Sequence, residues 1–235
     1  MSVTIPTISI IIPVFNEEKT IGSLLHYLNK KADHATAREI IVADGQSTDQ
    51  TVQVAREAGA KVITMERRGR ALQMNEGAKH ASGDYLYFLH ADTYPPRSFV
   101  SDIQNTLQEG YQAGCFRLHF DNTHLLLRFY GWCTRFDIPA FRFGDQSLFI
   151  NRKLFKQIGG FREDLIVMED NEIIHRIRKM AGFRIIPKPV ITSARKYENN
   201  GFIRLQLIFT LIYVLYHFGL PQEQLVKIYR EYIYQ

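Results

Sequence analysis

Four polar clusters carry the chemistry that this chain could perform. The first is Asp44-Gly45-Gln46-Ser47-Thr48-Asp49. An acid followed by glycine and hydroxyl residues can accept hydrogen bonds from a nucleotide base or ribose. It can equally form an Asx turn, with Ser47 or Thr48 capping the next helix. The second is His90-Ala91-Asp92. One carboxylate in a pocket that holds a diphosphate can place a divalent cation, because Mg2+ and Mn2+ take one or two protein carboxylates plus phosphate oxygens. Asp92 could instead cap the following helix, and His90 reads as a packing or hydrogen-bonding residue. The third is Arg67, Arg68 and Arg70 around Gly69. Guanidinium groups suit phosphate oxygens. Arg70 is the choice for the site, because Gly69 before it allows backbone and ligand to approach closely. The fourth is Glu169-Asp170. These acids either stabilise a helix start through its dipole, or Asp170 takes a proton from an acceptor hydroxyl as a general base.

These clusters need elements to position them. Ile8–Val14 is β-branched and almost continuously apolar, as in a parallel strand covered on both faces. A helix with Ile21, Leu24, Leu25 and Leu28 on one side follows. Strands at 39–43, 61–64 and 84–89 then alternate with helices at 48–58 and 69–80, and Pro95-Pro96 opens another helix. The alternation argues for βαβ units and a mostly parallel sheet. Ligands of such sheets bind beyond the carboxyl ends of the strands. Phe15-Asn16-Glu17-Glu18, the Asp44 cluster and the His90 cluster each follow a strand directly, so they should line one cleft. Beyond residue 112 a strand is expected at 113–120 and a helix at 124–135. A short strand at 148–150, a helix capped by Asn151 and stopped by Gly159-Gly160, and a helix from Met168 to about Met180 complete the second half.

The composition fits one globular domain: 235 residues, 46% hydrophobic and 23% charged. The net charge of +5 is mild and requires no nucleic-acid partner. Two cysteines, Cys115 and Cys133, make neither a disulfide scaffold nor a zinc site by themselves, and a reduced, cytoplasmic setting is expected. No secretory leader is visible at the start.

In their order and spacing the clusters resemble a known family. Pro13-x-Phe15-Asn16-Glu17, Asp44 to Asp49, Gly69-Arg70-x4-Asn75-x-Gly77, Gly83-Asp84 leading to His90-Ala91-Asp92, Gly159-Gly160-Phe161 and Glu169-Asp170 together resemble family 2 glycosyltransferases of the GT-A fold. The resemblance covers about residues 8–197. It is nearest to small bacterial members with His-Ala-Asp and Met-Glu-Asp motifs. It implies an α/β, Rossmann-like, mostly parallel central sheet flanked by helices. Residues 1–200 would form the GT-A domain, with a C-terminal helical extension at 201–235.

The roles that the resemblance implies are these. Pro13, Phe15 and Glu17 line the base pocket, and Asp44 binds the base, commonly uracil. Gly69, Arg70 and Ala91 belong to the donor-nucleotide site, with Arg70 reaching base or phosphates. Asp92 binds Mg2+ or Mn2+, and His90 replaces the first carboxylate of the family's Asp-x-Asp. Asp170, with Glu169 beside it, is the base of an inverting transfer from a UDP-type sugar donor. Gly144, Asp145 and Gln146 lie near an acceptor hydroxyl, and Arg195 touches phosphate.

Two rival readings stand beside this one. A nucleotidyltransferase would need a Gly-rich, basic phosphate loop where Asn16-Glu17-Glu18 stands. A non-catalytic sugar-nucleotide-binding module would keep the fold alone. A dinucleotide oxidoreductase is excluded, because no G-x-G-x-x-G follows the first strand.

From Arg176 to Arg204 there are eight Lys/Arg and one acid, Glu198, a stretch of +7 in a chain of +5. This is a solvated basic face or an attraction to anionic headgroups. Residues 202–220 form a long apolar helix with a polar stripe of Gln206, Thr210, Tyr213 and His217. Burial against the domain or in a homodimer, contact with the inner membrane surface, and a true span are the three readings. Membrane contact would suit a lipid-linked acceptor. A last helix is expected over 222–232, after Pro221.

Overall fold

The computed structural model describes residues 6–31, 37–142 and 144–234. The first half runs β1 (Ile8–Val14), α1 (Ile21–Lys31), β2 (Ala37–Asp44), α2 (Thr51–Glu57), β3 (Lys61–Thr64), α3 (Arg70–Lys79) and β4 (Tyr85–Phe88). β2, β1 and β4 are parallel neighbours, with β3 parallel beyond β2. β1 is apolar throughout because both faces are covered. Ile10 and Ile12 enter one core cluster, and Ile11 enters the cluster under α3 on the other face. Gly77 makes that second contact close, since a Cβ there would stand 2.5 Å from Ile11 Cγ2.

The second half runs β5 (Thr93–Tyr94), α4 (Phe99–Gln108), β6 (Ala113–Phe120), α5 (Leu125–Cys133), β7 (Phe149–Asn151) and α6 (Arg152–Gln157). It ends with α7 (Glu169–Met180), β8 (Phe183–Thr192), α8 (Arg195–Asn200), α9 (Phe202–His217) and α10 (Gln222–Tyr232). All strands join one sheet in the order β3-β2-β1-β4-β7-β6-β8-β5. β7 is antiparallel to both neighbours, β5 is antiparallel to β8, and the other pairs are parallel.

Three local expectations shift. Pro95-Pro96 does not open α4, which starts at Phe99 after a turn closed by Phe99 N–H on Pro96 O. Neither Ser47 nor Thr48 caps α2. Asp49 holds its start instead, accepting from Thr51 N–H at 2.9 Å and from the Thr51 hydroxyl. The basic stretch after residue 182 contains β8 rather than only a solvated face. A register shift between Phe116 and Arg117 leaves Pro187 and Lys188 outside the ladder with β6. A bulge of this kind lets a proline, which lacks an N–H, sit inside a strand.

The terminal helices pack on the same body. Leu205 and Ile233 join the core cluster of Ile8 and Phe116, while Ile212, Leu225 and Val226 close over Val167. Within α9, Thr210 and His217 of the polar stripe bond to carbonyls of their own helix, and Gln206 accepts from the Tyr197 hydroxyl at 2.9 Å. Among the described residues no helix is long and apolar enough to cross a membrane, so the spanning reading of 202–220 falls away. Cys115 and Cys133 are both free and buried.

Candidate active site

The parallel register of β2, β1 and β4 brings the three expected turns to one sheet edge. The first two are stitched together. Asn16, with φ 54°, donates its N–H to Ser47 Oγ at 2.9 Å, and its Oδ1 accepts from Thr48 N–H at 2.8 Å. Glu17 N–H reaches Thr51 Oγ1 at 2.8 Å, and Glu18 N–H reaches Asp49 Oδ2 at 3.2 Å. Asp44 is almost fully buried and accepts from Ser47 N–H at 3.0 Å, one residue further on than an Asx turn would reach. Beside this turn the Arg68 guanidinium lies 3.7 Å from the Phe15 ring centroid. The arginine nearest Phe15 is therefore Arg68, while Arg67 pairs with Glu163.

Arg70, the arginine chosen from the sequence, sits elsewhere. Its Nε donates to Glu169 Oε1 at 2.5 Å, and its Nη2 lies 3.4 Å from Asp170 Oδ2. α7 brings these acids to α3 through two clamps. Asn75 bonds both the N–H and the carbonyl of Phe161 across the Gly159-Gly160 turn. Arg176 ties Glu172 to the carbonyls of Ile158 and Gly160. Glu169 is 1% exposed, and its Oε2 has no hydrogen-bond partner among the described residues. Burial pushes its carboxyl up, opposed by the charge of Arg70. Gly69 is in extended backbone, and a Cβ there would meet only Leu72 Cβ at 3.6 Å, so protein packing does not require glycine.

A third group links the ends of the cleft. His90 Nδ1 lies 2.9 Å from Asp145 Oδ1. Burial works against a charged His90, but the hydrogen bond and charge of Asp145 outweigh it and raise its pKa. Desolvation also opposes a charged Asp145. The hydrogen bond and charge of His90, then the charges of Lys196 and Arg70, still hold it well below the carboxylate range. Asp92 is pushed up by burial and by the carboxylates of Asp145 and Glu17, partly offset by His90 and Arg195. Arg195, at the start of α8, lies 3.5 Å from Glu17 Oε1. Glu17, Arg195, Asp92, Asp145, His90, Arg70, Glu169 and Asp170 thus form one electrostatic chain.

Some expected site residues stand back from it. Ala91 is buried in the core, which leaves its backbone alone for a ligand. Gln146 is fully buried, accepting from Arg142 Nη1 at 2.7 Å and donating to Phe141 O. It supports the 139–146 loop from within rather than facing an acceptor. Pro13 lies in β1 opposite Ala43 of β2.

Arg142 is a residue that the sequence reading missed. It is completely buried, and its guanidinium serves the carbonyls of Thr134 and Phe136 as well as Gln146. Lys196, which helps to hold Asp145 ionised, was missed as well. An arginine between two phenylalanines was the one visible hint of a buried cation.

Gly144 touches the site most closely. A Cβ there would overlap the Asp170 carboxylate. Gly144→Ala is expected to fold normally yet turn over about 100-fold more slowly, the cost of roughly 1 Å of misplacement in a reacting group. Thermal unfolding measured beside initial rates checks this, and an unchanged rate would show that the Gly144–Asp170 contact does not bear on activity.

The arrangement defines an α/β protein that gathers the Asn16 and Asp44 turns, Asp92 and the Glu169-Asp170 pair beyond the strand ends of one sheet. Residues 9–185 match the sequence profile of Glycosyl transferase family 2, and the chain belongs to that family.

Among similar proteins, a dolichyl N-acetyl-alpha-D-glucosaminyl phosphate 3-beta-D-2,3-diacetamido-2,3-dideoxy-beta-D-glucuronosyltransferase of Methanococcus voltae is 37% identical over 108 residues. That match covers 43% of this chain and 34% of the relative. A 4,4'-diaponeurosporenoate glycosyltransferase of Staphylococcus aureus is 32% identical over 131 residues, 53% of this chain and 34% of the relative. The matched stretches thus span about a third of these relatives.

Two solved structures show the same GT-A fold. The mannosyltransferase PcManGT of Pyrobaculum calidifontis, in complex with GDP-Man and Mn2+, has a TM-score of 0.70 at 21% identity, covering 92% of this chain and 64% of that one. TarS 1-349 of S. aureus, in complex with UDP, has a TM-score of 0.67 at 22% identity, covering 80% and 60%.

Proposed function

We propose that the chain is an inverting glycosyltransferase that moves a sugar from a nucleoside-diphosphate donor, UDP-type, to a hydroxyl acceptor. The observation that carries this reading is the continuous chain of charged groups from Glu17 and Asp92, through Asp145 and Arg70, to Asp170 along the carboxyl-end edge of the sheet. The base binds between the Asn16 and Asp44 turns, against Phe15 and Arg68. The acceptor enters on the Gly144–Asp145 side. Asp170, 14% exposed and reachable by substrate, takes the hydroxyl proton while the acceptor oxygen attacks the anomeric carbon. The diphosphate leaves from the opposite face of the sugar, so the anomeric centre inverts. Arg195 and Arg70 supply positive charge on either side of the reacting groups.

The residues present fit a divalent cation that is shared with the donor. Among the described residues no group of three His, Cys, Asp or Glu is placed to hold a metal ion. Asp92, however, is largely buried and feels the negative charges of Asp145 and Glu17, only partly balanced by His90 and Arg195. One carboxylate in surplus negative charge suits Mg2+ or Mn2+ whose remaining ligands are phosphate oxygens. When bound, the ion neutralises charge on the leaving diphosphate. The Mn2+ in the PcManGT complex supports this reading.

Asp92→Ala is expected to lose the Mn2+-dependent part of UDP affinity, at least about tenfold, with metal-free binding kept. Titration calorimetry with and without Mn2+ reads this directly. Equal metal enhancement in both proteins would exclude Asp92 as the ligand. A panel of sugar nucleotides with Mn2+ tests the function itself, and absence of donor turnover with every sugar would leave the binding-module reading.

The names of the relatives from M. voltae and S. aureus, with dolichyl phosphate and diaponeurosporenoate in them, support a lipid-linked acceptor. A reduced, cytoplasmic setting belongs to the same proposal.

A further inference from the structure

The outer side of α5 is apolar where a monomer's surface would normally be polar. Leu125, Phe129, Trp132 and Phe136 recur at steps of four, three and four, so they form one stripe along the helix and its C-terminal turn. All four are exposed, Leu125 by 74% and Phe129 by 56%. The rings pack on one another instead of on the core, with Phe129 and Trp132 centroids 6.1 Å apart and those of Trp132 and Phe136 4.8 Å apart.

α9 lies alongside. The His124 ring stacks on Phe202 at 3.9 Å, and Leu127 and Leu205 enter the same core cluster beneath the two helices. The outer side of α9 is apolar too, with Leu207 64% and Phe218 85% exposed.

Charge decides what fits this face. Residues 122–136 and 199–222 hold no acidic side chain, while Arg128, Arg135 and Arg204 flank the stripes. The Arg135 guanidinium lies 4.9 Å from the Trp132 ring centroid. Aromatic rings bordered by arginines suit the headgroup level of an anionic bilayer. The acids at its margins are engaged within the chain, Asp137 with Arg178, Glu198 with Asn122 and Asp121 with the Ala194 N–H, so a two-fold dimer would place the face against its own copy, arginine toward arginine.

We propose that the α5–α9 face docks on the surface of an anionic lipid bilayer. The docking rests on this face alone. That an acceptor is delivered there rests on the transferase reading. The geometry suits such delivery, since Ile138 and Gly144 are six residues apart in sequence and so within about 20 Å of each other. Arg142 fixes the intervening loop to the end of α5 through Thr134 and Phe136.

Trp132 is the chain's one tryptophan, so its emission reports on this face without labelling. The full chain is titrated with vesicles of phosphatidylcholine alone and with 30% phosphatidylglycerol, each also prepared with brominated acyl chains. The expected result is a blue shift and bromine quenching with the anionic vesicles only, weakened by salt. Arg128→Gln with Arg135→Gln should lower partitioning about 25-fold, roughly fivefold per arginine. Phe129→Ser with Phe136→Ser should abolish quenching. Donor hydrolysis without vesicles should be unchanged in both variants, which shows that they are folded.

An unshifted Trp132 with anionic vesicles overturns the proposal. So does a Trp132 buried without lipid in a dimer seen by sedimentation velocity. Docking without any donor turnover would sink the transferase reading and leave the lipid surface standing.

Discussion

Asp170→Asn is expected to cost transfer orders of magnitude in rate while donor binding survives. The substitution keeps the shape of the side chain between Gly144 and Arg70 and removes only its capacity to accept a proton. General-base contributions are worth about 100- to 10,000-fold, and kcat should fall within that range. The affinity for UDP should stay within about twofold, because in the proposed reading Asp170 meets the acceptor hydroxyl and not the nucleotide. Rapid-quench turnover beside equilibrium UDP binding separates the two effects. Normal turnover by the asparagine variant would remove Asp170 from the mechanism. Joint loss of turnover and binding would mean that the cleft had collapsed rather than lost its base.

The second large effect is on folding. Among the described residues Arg70 is the only cation hydrogen-bonded to Glu169, whose carboxylate is almost completely out of water. Arg70→Met leaves that acid without its counter-charge, and breaking a buried pair in this way costs about 3–5 kcal/mol. Arg70 itself is 43% exposed, so the lower end of that range is the expectation.

The pH dependence has a definite sign. Burial already raises the pKa of Glu169 above its unfolded value, and losing Arg70 raises it further. A carboxyl with a raised folded-state pKa is favoured by folding when protonated. The deficit of the variant should therefore be small at acid pH and grow as pH rises through that pKa. Arg70→Met with Glu169→Gln should recover most of the stability, because the uncompensated charge is gone. Urea unfolding of the single and double variants at several pH values is the measurement. A pH-independent deficit that Glu169→Gln fails to relieve would show that Arg70 acts by packing alone.

The fold was legible because its signals are local. An unbroken β-branched run such as Ile8–Val14 can be satisfied only by cover on both faces, and β1 occupies those very bounds. Polar turns directly after parallel strands must meet at one edge, so the cleft followed from the strand assignments. The Asn151 cap also follows from its own side chain, which accepts from Lys153 and Leu154 N–H. β8 was hidden because two prolines, Arg184 and Lys188 outweigh its alternating buried residues, and only pairing with β6 and β5 reveals it.

The sequence by itself determined the alternation of elements, the strand-end position of each polar cluster and the family to which the chain belongs. Tertiary structure alone decided which charge meets which: Arg70 with Glu169, 99 residues away, Arg195 with Glu17, His90 with Asp145, and Arg68 rather than Arg70 over Phe15. The reason is one of range. Backbone periodicity and capping are governed by neighbours a few residues apart. Ion pairing depends on separations of a few ångströms between side chains distant in sequence, and those are fixed only once the sheet and its helices have packed.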